Sequence, residues 1–164
     1  MLNRLFPKQL DNDYQGYKLA IWLFVPIVLG KFLMGVNVVG LNPWLSNRDV
    51  LKLADGIPLD TYGGEAASTV VVLFANWGLG LLILCLLGIV VLVRYRAMIP
   101  LMYLLLSIEQ IGRMGLSRIN QLVPVVAAEG TSPGALINWG LAAALVIGLV
   151  LSLAARKEAR ESAT

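Results

Sequence analysis

The sequence predicts an all-α integral membrane protein, a single domain over 1–164 built as a bundle of four transmembrane helices. Three observations predict it. Charged residues make up only 14% of the chain and hydrophobic residues 58%, whereas soluble domains carry roughly a quarter charged. The mean hydropathy is +0.77. Finally, the apolar residues fall into four continuous runs, each long enough at ~1.5 Å per residue to cross a hydrocarbon core of about 30 Å. Runs of this length that do not alternate are helices rather than barrel strands.

The first run covers about 18–39 and is interrupted by Pro26 and Lys31. Lys31 breaks the apolar stretch and no Ala-x-Ala-like site follows, so it reads as a retained helix rather than a secretory signal. The connection at 40–65 is long enough to hold structure of its own. In it Ser46-Asn47-Arg48-Asp49 reads as an N-cap with an acidic first turn. Val50, Leu51 and Ala54 then share one face, and Asp55-Gly56 ends the segment. This pattern predicts a short amphipathic helix at the outer interface, anchored by Trp44, which lies on the membrane surface or caps the bundle as a lid.

The second run, about 66–93, has only Ser68, Thr69 and Asn76 as polar members. Arg94-Tyr95-Arg96 then turns the chain so tightly that the second and third helices must be antiparallel neighbours. The third helix, about 97–120, is apolar up to Ile108 and then meets Glu109, Gln110 and Arg113. A Gly-, Ser-, Thr- and Pro-containing turn at 129–134 leads into the fourth helix, about 136–155, whose polar members are Asn138 and Ser152.

With four crossings, both termini and the Arg94–Arg96 turn share one side. That side holds eight of the 13 basic residues, while Arg48, Lys52 and Arg118 lie on the other and Lys31 and Arg113 lie within the membrane. The positive-inside rule therefore makes both termini cytoplasmic. The same rule accounts for the net charge of +3 without any role for nucleic acid.

Composition also removes whole classes of chemistry. The chain has no histidine and one cysteine, Cys85, so imidazole-based haem, zinc or copper sites and a Cys-x-x-Cys pair are excluded. Neither a P-loop nor a Gly-x-Gly-x-x-Gly turn occurs. Asp55, Asp60 and Glu65 match no cation-binding loop and read as a solvated acidic segment. No cofactor or metal is expected, and the absence of a nucleophile–base pair argues against an enzyme.

Lys31, Glu109 and Arg113 carry the sharpest signal. A charge at mid-membrane costs about 2.5–3.5 kcal/mol on insertion scales, so such residues face inward and seek partners. Lys31 lies about 20 Å from the inner edge and Glu109 about 18 Å, counted at ~1.5 Å per residue. Arg113 is one turn further out on the same face as Glu109. Asn37, Asn76, Gln110 and Asn138 fall in or near this layer. Such a cluster can hold an anionic group, a quinone carbonyl or a lipid head group, or relay a proton through Glu109, or it can fix helix register without chemistry.

Two further patterns concern packing. Gly140, Ala144, Gly148 and Ser152 recur every fourth residue, a small-residue stripe that lets another helix approach, within the bundle or from a second protein. Asn76-Trp77-Gly78-Leu79 recurs as Asn138-Trp139-Gly140-Leu141. The Gly-Lys of the first helix likewise parallels the Gly-Arg of the third, which suggests two parallel helical hairpin repeats.

Gly30 to Gly35 and Ile111-Gly112-Arg113-Met114 together resemble the DoxX-like group of small four-helix bacterial membrane proteins. The resemblance covers the helical framework and not the 40–65 connection. It implies an accessory subunit of the bacterial inner membrane, in a group sometimes linked to oxidoreductase or quinol-using systems. The functional expectation is therefore a non-enzymatic accessory or assembly subunit, with another membrane protein or a homo-oligomer as partner. The alternative is a small-solute or proton-coupled transporter using Lys31, Glu109 and Arg113.

Overall fold

The computed structural model describes residues 2–7, 9–119 and 133–154, and these form helices with no strand among them. The helices are α1 (Leu2–Leu5), α2 (Lys18–Val39), α3 (Asn47–Asp55), α4 (Gly64–Arg94), α5 (Ile99–Ile119) and α6 (Pro133–Leu153). Three of them, α2, α4 and α6 from Leu136 onward, are long and apolar enough to cross a membrane. With 21 residues, α5 matches α6 in length but carries Glu109, Arg113 and Arg118. Length and composition thus show three membrane-capable helices where the sequence reading expected four. The 31 residues of α4 measure about 46 Å at ~1.5 Å each, more than a core of about 30 Å requires.

The helix ends follow from local chemistry. α2 stops at Gly40, whose φ of 86° is left-handed. There the Gly40 and Leu41 N–H groups donate to the Asn37 and Val36 carbonyls, closing the last turn as a Schellman-type cap does. Pro26 lies inside α2 and removes one ladder bond, yet Phe24, Ile27 and Val28 around it are buried and hold the helix in place. α3 is capped by Ser46, whose Oγ accepts from the Asp49 N–H at 3.2 Å.

The long helices form a ring in which α2 touches α4, α4 touches α5, α5 touches α6, and α6 returns to α2. Neighbours are antiparallel. Gly35 meets Leu82 and Gly78 while Gly88 meets Val28, and the Tyr17 N–H donates to the Leu151 carbonyl. The parallel diagonal pair α2 and α5 fills the centre with side chains. Phe24 and Tyr103 stack edge to face at 5.0 Å, and the Tyr103 hydroxyl donates to the Ala20 carbonyl at 2.7 Å. Lipid tails are as apolar as leucine, so packing and hydrogen bonds of this kind, more than burial, hold membrane helices together.

Two further elements show how the ring is packed. Of the two placements open to α3 from its sequence, the contacts with α2, α4 and α6 fit a cap on the bundle. Its fully buried Leu51 joins Leu59 and Ala67 in a second apolar cluster, so α3 caps the end of the ring opposite the chain termini. Its amphipathic face is covered by the helix ends beneath it, while Trp44 stays 90% exposed. The small-residue stripe of α6 turns from the outside inward along the helix. Gly148 and Ser152 are buried and Ala144 is packed on the core, but Gly140 opens outward. The turn-to-turn drift of α6 carries its last residues inward, where the missing Gly148 side chain makes room for the Tyr103 ring.

The paired Asn-Trp-Gly-Leu stretches are not equivalent in packing. In α4 Gly78 is buried, Trp77 half-buried and Asn76 exposed, whereas in α6 Asn138 turns inward and Trp139 and Gly140 outward. The two copies thus differ in rotation about the helix axis.

Candidate functional site

The ionisable residues of the helix interiors come together between α2, α4, α5 and α6. Lys31 reaches across the centre of the ring from α2. Its Nζ donates to Glu109 Oε2 at 2.5 Å and to Gln110 Oε1 at 2.7 Å. Lys31 is 1% exposed and Gln110 fully buried. Adjacent positions on α5 can both meet one ammonium because Lys31 approaches along the diagonal, between their two directions.

Glu109 carries the second layer. Trp77 of α4 donates its Nε1 proton to Glu109 Oε1 at 3.2 Å, and Arg113, one turn along α5, pairs with the same oxygen at 3.7 Å. The Arg113 guanidinium also lies over the Trp77 ring at 5.0 Å, a cation–π contact that strengthens away from water. Its Nη2 donates to Asn138 Oδ1 at 2.8 Å, and that oxygen also accepts from Gln110 Nε2 at 3.1 Å. One carboxylate is therefore held by two cations and an indole, and the Gln110 and Asn138 amides link them to α6. With all three groups ionised the formal charge is +1.

Of the residues singled out from sequence, Lys31, Glu109, Gln110, Arg113 and Asn138 form this network. Asn76 does not; it is exposed on the far side of α4. Asn37 sits beyond the network, where its Oδ1 accepts from Asn42 Nδ2 at 2.8 Å. Trp77 is the member that sequence reasoning passed over. The usable signal was its place beside the buried line Gly78, Leu81, Cys85 and Gly88, but α4 is apolar all round and offers no polar stripe from which to read its rotation.

Two cavities lie elsewhere. One, of about 380 Å³ at the termini end, is lined by Arg4, Gln9, Asp11, Asp13, Tyr14 and Gln15 among others. Burial pushes the Tyr14 hydroxyl well above the usual tyrosine range. The other, of about 590 Å³, is an apolar groove between α5 and α6. Neither is lined by Lys31, Glu109, Gln110 or Arg113. Among the described residues no group of His, Cys, Asp and Glu has a metal-binding arrangement.

No family model, no curated protein and no solved structure matches the chain.

Proposed function

We propose that the chain is a four-span bundle acting as a non-enzymatic accessory or assembly subunit of a larger membrane complex. The observation that carries this reading is the closure of the charge network. Lys31, Glu109, Gln110 and Asn138 find hydrogen-bond partners within the chain, Arg113 bonds Asn138 through Nη2 while its buried Nε meets Glu109 only as an ion pair at 3.7 Å, and neither described cavity reaches them. A polar centre closed on itself supports helix register more readily than passage of a solute.

The same closure supports α5 as the fourth crossing. Its Glu109 and Arg113 would each cost about 2.5–3.5 kcal/mol if unpaired in the core, but they are paired inside the ring, and Arg118 lies one residue from the helix end. Both termini are then cytoplasmic by the distribution of Lys and Arg, in a bacterial inner membrane. The DoxX-like resemblance belongs to this reading, since its residues flank Lys31 and Arg113.

The test is the native mass of the protein extracted gently from its own membrane, with co-purifying proteins identified. A stoichiometric larger membrane partner is the expected result. A lone monomer or homo-oligomer overturns the reading. It would turn attention to a proton- or solute-coupled carrier, which the network's excess positive charge and the partial exposure of Glu109 and Arg113, 18% and 23%, would favour.

A further inference from the structure

The α5–α6 groove is where the two hairpins part company. In the α2–α4 pair, small residues bring the helices into contact: a Cβ at Gly78 would stand 3.0 Å from Val38. In the α5–α6 pair, Gly112, Gly115 and Gly140 meet nothing within 4 Å of a Cβ. The space so left is a groove of about 590 Å³ walled by Ile111, Met114, Gly115, Ala142, Ala143 and Ile147. That volume is in the range of ligand sites, about 300–1,000 Å³. The groove runs from Ile147 to Trp139 along α6, about 12 Å at ~1.5 Å per residue.

Its far end, next to the start of α6, is not apolar. Arg118 lines the groove there and lies over the Trp139 ring at 5.0 Å. Trp139 is 53% exposed. Among the described residues no carboxylate pairs with Arg118; the ion pairs are Lys31–Glu109, Lys52–Asp60 and Arg113–Glu109. The groove is thus an apolar slot that ends in a guanidinium steadied on an aromatic face, with no carboxylate paired to it among the described residues. An amphiphile with an apolar chain and an anionic head at that spacing is complementary to it.

We infer that the α5–α6 groove is a binding site for one anionic phospholipid, an acyl chain lying between Ile111 and Ile147 and the phosphate meeting Arg118. The occupant is a lipid rather than a second copy of the chain because the slot runs along the apolar sides of α5 and α6 and, among the described residues, its walls carry one positive charge and no acid. The site is separate from the Lys31–Glu109 network and does not depend on the accessory-subunit reading.

The test uses the full-length protein in nanodiscs of equal phosphatidylglycerol and phosphatidylcholine, released for native mass spectrometry so that retained lipids are counted. The wild type is expected to keep one phosphatidylglycerol with a preference of about fivefold, the effect of one basic residue near an anionic headgroup. Arg118→Gln reduces that preference to near unity. Arg48→Gln removes an exposed charge at the same end but on α3, and leaves the preference unchanged. Gly115→Leu fills the groove from a position with open space and lowers retention of both lipids; Ala143→Leu repeats this from the opposite wall should the first variant fail to assemble. Equal preference in wild type and Arg118→Gln overturns the proposal. So does a wild type that retains neither lipid, including one whose mass is a dimer closed over this face.

Discussion

Replacing Glu109 with leucine is expected to destabilise the protein by about 3–5 kcal/mol, the cost of stripping one partner from a buried ion pair. The direction follows from what is left behind. Lys31, 1% exposed, would keep only the Gln110 carbonyl oxygen, and Arg113 would lose its carboxylate while staying against Trp77. Lys31→Met is expected to cost less, because Glu109 retains Trp77 and Arg113. The double variant Lys31→Met, Glu109→Leu should recover much of the loss, since replacing a buried pair by apolar groups of similar volume is often neutral. Reversible unfolding in mixed micelles, read by tryptophan fluorescence, measures all three. A double variant whose loss equals the sum of the two single losses would show that the ammonium and carboxylate act independently.

Gly148→Leu is expected to have the second largest effect. A Cβ there falls inside the space of the Tyr103 ring, which cannot swing away because its hydroxyl is bonded to Ala20 and its face is packed on Phe24. Overpacking of this kind typically costs about 1–3 kcal/mol, with a rigid ring and a neighbouring helix giving the upper end. Gly140→Ala, two turns earlier on the same helix, is expected to go the other way. Its Cβ meets nothing within 4 Å, and alanine is better than glycine in a helix by about 0.8–1.0 kcal/mol. Denaturant midpoints of the two variants in the same micelles should therefore move in opposite directions. Movement in the same direction would contradict the packing described for α6.

How much of this was legible in the sequence depends on which degree of freedom is asked about. Position along the helix axis was readable, because ~1.5 Å per residue converts a count into a depth. Counting put Lys31 and Glu109 at one level, and the structure joins them at 2.5 Å. The span 18–39 was readable for the same kind of reason: Lys18 opens the apolar run, and Gly40 supplies the left-handed residue that closes it.

Rotation about the helix axis was not readable. α4 and α6 are apolar on every side, so nothing in their sequence says which face is inside. Depth puts Asn76 near the charged layer, but its neighbour Trp77 is the one that reaches Glu109, and Gly140 and Gly148 share a four-residue spacing yet face different ways. The placement of α3 was hidden for a different reason. An amphipathic helix has the same pattern whether its apolar face meets lipid or the ends of three helices, and only the folded ring shows that Leu51 is covered by protein. Length and composition give three helices able to cross a membrane, and α5 falls outside that set because Glu109, Arg113 and Arg118 lie along it.

The most direct measurement is the distance between the Lys31 side-chain nitrogen and the Glu109 carboxyl carbon in lipid bilayers, by magic-angle-spinning NMR on protein labelled at lysine Nζ and glutamate Cδ. Glu109→Gln serves as the control. The account predicts a strong one-carboxylate dipolar coupling of the kind a 2.5 Å contact between nitrogen and oxygen requires. It also predicts that the Lys31 ammonium protons exchange slowly when the bilayer is hydrated in deuterated water, because Lys31 is sealed inside the ring. A missing coupling, or a Lys31 ammonium in rapid exchange with bulk water, would mean that the network is open to solvent and that its role is not to hold α2 and α5 together.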